Sequence, residues 1–171
     1  MIAVPQRPHT PKTGDERATL TAFLDQYRAT LAIKCHGLIP AQLASRAVAP
    51  SPLSLLGLVR HMADVERGWF RRFALEETVP RYSDAANADG DFDNVQGDAD
   101  MVDEAFAFWL AEIEHAREVA AAAELDQTFV HPRTGTTMSL RWILVHMIEE
   151  YARHCGHADL LRERIDGVTG E

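Results

Sequence analysis

Residues 140–167 read LRWILVHMIEEYARHCGHADLLRERIDG and predict a long helix that begins near Ser139 and ends at about Asp166, before Gly167. At 3.6 residues per turn, four ionisable side chains of this helix fall within an arc of roughly 80°. They are His146, Glu150, His154 and His157. The apolar residues that flank the arc are Ile143, Met147, Tyr151 and Leu161, so we expect it to face inward. Ionisable groups in an apolar setting are costly unless they are paired or bind a metal, which makes this arc a candidate metal site.

A single ion cannot use every member of this arc. His146 and His154 are about 12 Å apart along the helix axis, whereas metal–nitrogen bonds are about 2 Å long. The helix therefore offers one pair four residues apart, and a further ligand has to come from another helix. His61, in LVRHMADVE, lies in the middle of a second predicted helix, at the depth of Glu150 and His154. Three ligands from two facing helices leave one coordination position open, which is typical of a catalytic metal site.

Simpler interpretations of the same residues remain open. A lone histidine such as His61 is usually a hydrogen-bonded core residue, and Glu150 can pair on a solvated helix face with Arg153 or His154. Cys155 points about 100° away from His154, which predicts a buried thiol rather than a ligand. The tryptophans are most simply explained as core anchors; they are Trp69, Trp109 and Trp142.

Three more helices are predicted upstream of residues 140–167. They span about residues 14–36, 52–77 and 101–124, and a short helical turn is predicted at 41–46. Thr13 and Glu16 have the spacing of a capping box at the start of the first helix. Ser51 and Pro52 fit the N-cap and the first position of the second helix.

The connections between these helices predict how the helices are arranged. Residues 78–100 are rich in Asp, Ala, Asn and Gly and predict a long loop, although their aspartates do not complete a calcium-binding motif. Such a loop lets the second and third helices run parallel, so we predict an all-α four-helix bundle in up-down-down-up order. Residues 125–138 predict a short extended excursion. An extended N-terminal arm is predicted at residues 1–13 and a single domain at 14–171.

Charge and cysteine content limit the functional classes. The 171 residues carry a formal net charge of -9, which disfavours binding to nucleic acid or to anionic membrane surfaces. No apolar run approaches the roughly 20 residues that span a bilayer. Cys35 and Cys155 form neither a CxxC motif nor a disulfide framework, which favours the cytoplasm.

Three segments resemble the DinB-like superfamily. They are LLGLVRHMADVERGWF at 55–70, the acidic DGDFD at 89–93, and residues 140–167. The chain is most similar to the actinobacterial branch that includes mycothiol S-transferases and mycothiol-dependent maleylpyruvate isomerase. The resemblance implies a divalent metal, zinc or alternatively nickel, bound by His61, Glu150 and His154. His157 stands where relatives carry a glutamine, which implies a contact with a ligand or with the substrate.

The resemblance also implies an activity. We expect a metal-dependent thiol S-transferase that conjugates mycothiol to electrophilic small molecules through a metal-bound thiolate. His157 and His146 are the candidate catalytic residues. The loop at 78–100 is the candidate for part of the thiol pocket, with Phe92 as an apolar contact among aspartates that can accept hydrogen bonds from sugar hydroxyls; the alternative is a solvated crossover between parallel helices. A homodimer is the expected assembly. The alternatives are a non-catalytic metal-binding helical bundle and a mycothiol-dependent isomerase. The isomerase is disfavoured because it has an extra C-terminal domain for which 171 residues are too few.

Overall fold

The structure is a computed structural model that describes residues 6–76 and 78–170. The first five residues of the predicted arm, and Glu77 at the predicted end of the second helix, lie outside this part of the chain. Residues 6–15 belong to no helix or strand. The division of the chain into an arm and one domain stays a prediction.

The described residues are mostly helical, which confirms the all-α prediction in its broad form. The helices are α1 (Glu16–Cys35), α2 (Pro40–Leu43), α3 (Leu55–Glu66), α4 (Gly90–Asp93), α5 (Ala99–Ala122) and α6 (Leu140–Asp166). A π-helical turn, Arg67–Arg71, continues α3. The strands β1 (Thr128–Val130) and β2 (Thr137–Ser139) pair antiparallel, with Phe129 opposite Met138, and form the predicted extended excursion.

Both upstream N-caps differ from the predicted ones. The carboxylate of Asp15 accepts the N–H of Ala18 at 2.7 Å, so Asp15 caps α1 and the predicted capping box at Thr13 does not form. Ser54 caps α3 by accepting the N–H of Gly57 at 3.1 Å, three residues later than predicted. The segment SPLS holds two serines that can each cap a helix, and local sequence alone does not choose between them.

The predicted start and end of the last helix are confirmed. Ser139 accepts the N–H of Trp142 at 3.2 Å at the start of α6. The helix ends at Gly167, whose φ of 78° is accessible to glycine at little cost. The predicted loop at 78–100 differs in detail, because it contains the short helix α4 and α5 already begins at Ala99.

The long helices pack in pairs. Arg141 at the start of α6 donates to Glu16 at the start of α1 at 2.6 Å, and Arg162 near the end of α6 donates to the carbonyl of Lys34 at 3.0 Å. These two helices therefore run in the same direction. Between the helices lie the largest fully buried side chains, among them Trp109, Tyr151, Phe70, Leu58 and Ile143.

The pair formed by α3 and α5 carries the π-helical turn. Arg60 of α3 contacts Met101 near the start of α5, and Arg67 and Arg71 of the turn both donate to the buried Glu112. The first half of α3 thus contacts the start of α5, and the turn after α3 contacts the second half of α5. The two helices therefore also run in the same direction. Within residues 6–76 and 78–170, no helix has the length and apolar character needed to cross a membrane.

Candidate metal centre

The three residues predicted as metal ligands lie together between α3 and α6. The donor atoms offered by His61, Glu150 and His154 are all within 4.8 Å of one another. His154 Nε2 is 3.5 Å from Glu150 Oε2, and the His61 and His154 rings are 4.7 Å apart between centroids. Donor atoms on a tetrahedral zinc ion with bonds of about 2.1 Å lie roughly 3.4 Å from one another. The group therefore fits a divalent metal after small side-chain movements.

In each candidate ligand histidine, Nδ1 has a partner of its own. His61 Nδ1 is 2.8 Å from Asp91 Oδ2, and His154 Nδ1 is 3.3 Å from His157 Nδ1. Such partners orient metal-binding imidazoles and leave the opposite ring nitrogen available. His157, which was predicted as catalytic, therefore lies on the side of His154 that faces away from Glu150 and His61.

Burial keeps the ligand histidine of α6 neutral. Burial is the main cause that lowers the pKa of His154 to about 4, and His61 and His157 lower it further. Only the neutral imidazole offers a lone pair to a metal, so His154 is in its metal-binding form at neutral pH. The ligand side chains are 11 to 27% exposed, so the group lies just below the surface, within reach of a small molecule.

His146 lies on the other side of Glu150. Its Nε2 is 3.6 Å from Glu150 Oε1, and its Nδ1 is 3.6 Å from Glu149 Oε2. Burial lowers the pKa of His146, while Glu150 opposes the shift. The carboxylate of Glu150 thus lies between two histidines of α6, one in the three-ligand group and one beside it.

An aromatic cluster flanks His146 and corrects one prediction. The Trp142 ring stacks on His146 with ring centroids 4.9 Å apart and an interplanar angle of 12°, and Trp69 makes an edge contact with the His146 ring at the same centroid distance. Trp109 is a core residue as predicted, but Trp142 is 45% exposed and Trp69 is only partly buried. The core prediction is wrong for Trp142 because its position on α6 faces the β-hairpin and solvent. Trp69 reaches the cluster from the π-helical turn, which a sequence of ordinary helical period does not indicate.

Sequence reasoning missed Asp91 as a partner of the site. The aspartates at 89, 91 and 93 do not complete a calcium-binding motif, and only the fold shows that Asp91 meets His61, thirty residues earlier in the chain. Phe92, the predicted thiol contact, stacks on the His61 ring at 5.4 Å. Whether Phe92 also contacts a thiol stays a prediction.

The two cysteines are poorly suited to act as nucleophiles. Cys35 and Cys155 are both free and buried, as predicted for Cys155. Burial is the main cause that raises the pKa of each thiol to about 12. Both remain protonated at neutral pH, so a thiolate used in catalysis has to come from a bound small molecule.

One comparison with known proteins identifies a family for this chain. A protein-family model described as mycothiol-S-transferase matches residues 19–167. The matched span contains His61, Asp91, Glu150 and His154. Searches of the curated proteins and of the solved structures found no match.

Proposed function

The chain belongs to the mycothiol-S-transferase family, and on that premise we propose that it conjugates mycothiol to electrophilic small molecules with the help of a divalent metal. His61, Glu150 and His154 hold the metal. The observation that carries this proposal is the convergence of their three donor atoms within 4.8 Å, next to a surface that a small molecule can reach.

The donor set favours zinc, with nickel as the alternative. Two neutral imidazoles and one carboxylate around a divalent ion leave a net charge of about +1 and a free coordination position. A bound divalent metal supplies Lewis acidity, which lowers the pKa of a coordinated thiol so that it ionises at neutral pH. The residues that would hold the ion lie between α3 and α6, and their side chains are 11 to 27% exposed.

The reaction forms one bond from sulfur to the electrophilic carbon. The thiol loses its proton, the sulfur lone pair attacks the carbon, and the leaving group departs with its bonding electrons. His146 is the group that accepts the proton, directly or through water, because its lowered pKa leaves it neutral near pH 7 and it lies 3.6 Å from Glu150. His157 holds His154 in orientation.

The electrophile binds on the side of the site that carries His146. Trp69 and Trp142 form an aromatic surface there, and a cavity of about 290 Å³ lies beside Trp142 and is lined by residues 136–139. Flat apolar electrophiles gain from contact with exposed aromatic rings. The sugar portions of the thiol then lie on the opposite side, near Phe92 and the acidic residues around it.

Three further features belong to the proposal. The four long helices form an up-down-down-up four-helix bundle, which the parallel pairs α1–α6 and α3–α5 support. The protein works in the cytoplasm, in agreement with two free buried thiols and a charge of -9. It assembles as a homodimer and binds neither nucleic acid nor membranes.

Metal dependence is the direct test. The purified protein, a chelator-treated sample and the same sample after addition of zinc are assayed for conjugation of mycothiol to a halobimane. We expect close to one divalent ion per chain, loss of the catalysed rate on chelation, and its return with zinc. Equal rates with and without metal would contradict the proposal and favour a bundle in which the cluster has only a structural role.

A further inference from the structure

The segment between the π-helical turn and α5, residues 78–98, is hydrogen-bonded to α3, the helix that carries His61. The Asp64 carboxylate of α3 accepts the backbone N–H groups of Arg81 and Tyr82 at 2.7 and 3.0 Å. Arg60 of α3 donates to the carbonyls of Asn94 and Gly90 at 2.9 and 3.2 Å. Because these bonds come from residues one turn or less from His61, the segment has a fixed position relative to that ring.

The same segment brings two side chains against His61. Asp91 of α4 is only 6% exposed and its Oδ2 lies 2.8 Å from His61 Nδ1. Phe92 stacks on the His61 ring with an interplanar angle of 29°. Gly57 makes room for Phe92, because a Cβ atom there would be 2.7 Å from the phenylalanine ring. A buried carboxylate and a stacked ring thus restrain His61.

We propose that Asp91 is a positioning residue that fixes the tautomer of His61. A carboxylate only accepts hydrogen bonds, so at 2.8 Å it requires the proton of neutral His61 to be on Nδ1. The lone pair is then on Nε2, the nitrogen that remains for a metal shared with Glu150 and His154. This inference rests on the proposed metal site and adds the residue that prepares one ligand before the ion arrives.

A purely structural role for Asp91 makes a different prediction. If Asp91 only held α4 against α3, its replacement would loosen the segment but would not change which nitrogen of His61 carries the proton. Asp91→Asn separates the two roles because the amide has nearly the same shape but also offers N–H donors. The amide can donate to Nδ1 as well as accept from it, so Nδ1–H is no longer required, and in part of the population the proton is on Nε2 and the lone pair faces away from the metal position.

The tautomer is read in the metal-free protein from the imidazole nitrogen shifts in NMR spectra at mildly alkaline pH. We expect Nδ1–H for His61 in the wild type and in Asp93→Asn, and a clearly increased share of Nε2–H in Asp91→Asn. Asp93 is the matched control because it lies on the same short helix but pairs with Arg46 at the surface. A wild-type His61 protonated on Nε2 overturns the proposal, and so does an unchanged tautomer in Asp91→Asn.

Zinc affinity, measured by competition with a chelator, gives the second result. Loss of an outer partner of a ligand histidine weakens metal binding by about 10- to 100-fold, so we expect that loss for Asp91→Asn and none for Asp93→Asn. Equal zinc affinity in Asp91→Asn and the wild type overturns the positioning role. Absence of zinc binding by the wild type overturns the proposed function instead, and the tautomer measured in the metal-free protein still decides the role of Asp91.

Discussion

At the scale of single residues, the ligand histidines make the sharpest prediction. His61→Ala or His154→Ala removes one of three donors, and we expect metal content to fall from about one ion per chain to a small fraction of that. The helical fold should persist, because packing of the helices supplies most of its stability. Metal analysis after gel filtration and circular dichroism measure the two effects.

The matched control for this prediction is His36→Ala. His36 follows α1, and its carbonyl accepts from Arg162, two turns beyond His154 on α6. Its replacement should leave metal content unchanged. Full occupancy in both ligand variants would refute the assignment and point to His146 with Glu149 and Glu150, the other candidate group among the described residues.

The residue scale also shows what sequence reasoning can find in this site. Glu150 and His154 share one helix, so the fixed spacing of four residues places them together without knowledge of the fold. His61 was found because its depth in a second helix can be counted from the sequence. Asp91 was not, because its meeting with His61 depends on the path of a segment without periodicity, held by bonds from Arg60 and Asp64.

At the scale of elements, a buried polar network joins the four long helices. Arg28 of α1 donates twice to Glu66 of α3 at 2.7 Å, Tyr151 of α6 donates to the same carboxylate at 2.8 Å, and Trp109 of α5 donates to Tyr151. Glu66→Gln removes the fully buried one of the two carboxylates that compensate the guanidinium of Arg28; the other, Asp25, is partly exposed. We expect the free energy of unfolding to fall by about 3–5 kcal/mol, as measured by urea denaturation.

An exposed ion pair is the matched control for the buried one. Glu114 pairs with Arg117 on the surface of α5 and its side chain is 67% exposed. Glu114→Gln should change the free energy of unfolding by less than about 1 kcal/mol. If both variants lost the same small amount, the network joining the helices would not be a major source of stability.

The aromatic cluster makes a second prediction at this scale. Trp142→Ala should raise KM for flat aromatic electrophiles several-fold, because stacking contacts of this kind contribute about 1 kcal/mol or more. Metal content should stay unchanged, and KM for a small aliphatic electrophile should change little. Trp142→Phe retains an aromatic face and should behave much like the wild type. An equal rise in KM for aromatic and aliphatic electrophiles would argue against an aromatic subsite.

Elements differed in how far sequence patterns could predict them. The start of α6 was predicted because a long helical apolar period begins directly after Ser139, and Ser139 is its N-cap. The start of α3 was not, since Ser51 and Ser54 both satisfy the local rule and tertiary packing selects Ser54. The π-helical turn was also missed, because it depends on Arg67 and Arg71 both reaching Glu112 on another helix.

At the scale of the whole molecule, the acidic character of the chain bears on which thiol it accepts. The formal charge of -9 creates a negative potential around the protein, and glutathione is an anion at neutral pH. The sugar hydroxyls of mycothiol can donate hydrogen bonds to acidic groups near the site, whereas the carboxylates of glutathione are repelled by those groups. Charge and hydrogen bonding therefore favour the same thiol.

This argument predicts a preference that depends on salt. We expect kcat/KM for mycothiol to exceed that for glutathione at every salt concentration, with the ratio largest at low ionic strength. Added salt screens the repulsion of glutathione and should lower its KM, whereas KM for mycothiol should change little. Initial rates with one electrophile, measured for both thiols over a range of sodium chloride concentrations, test this directly. Equal kcat/KM values at all salt concentrations would mean that neither the charge of the chain nor a sugar-binding surface selects the thiol.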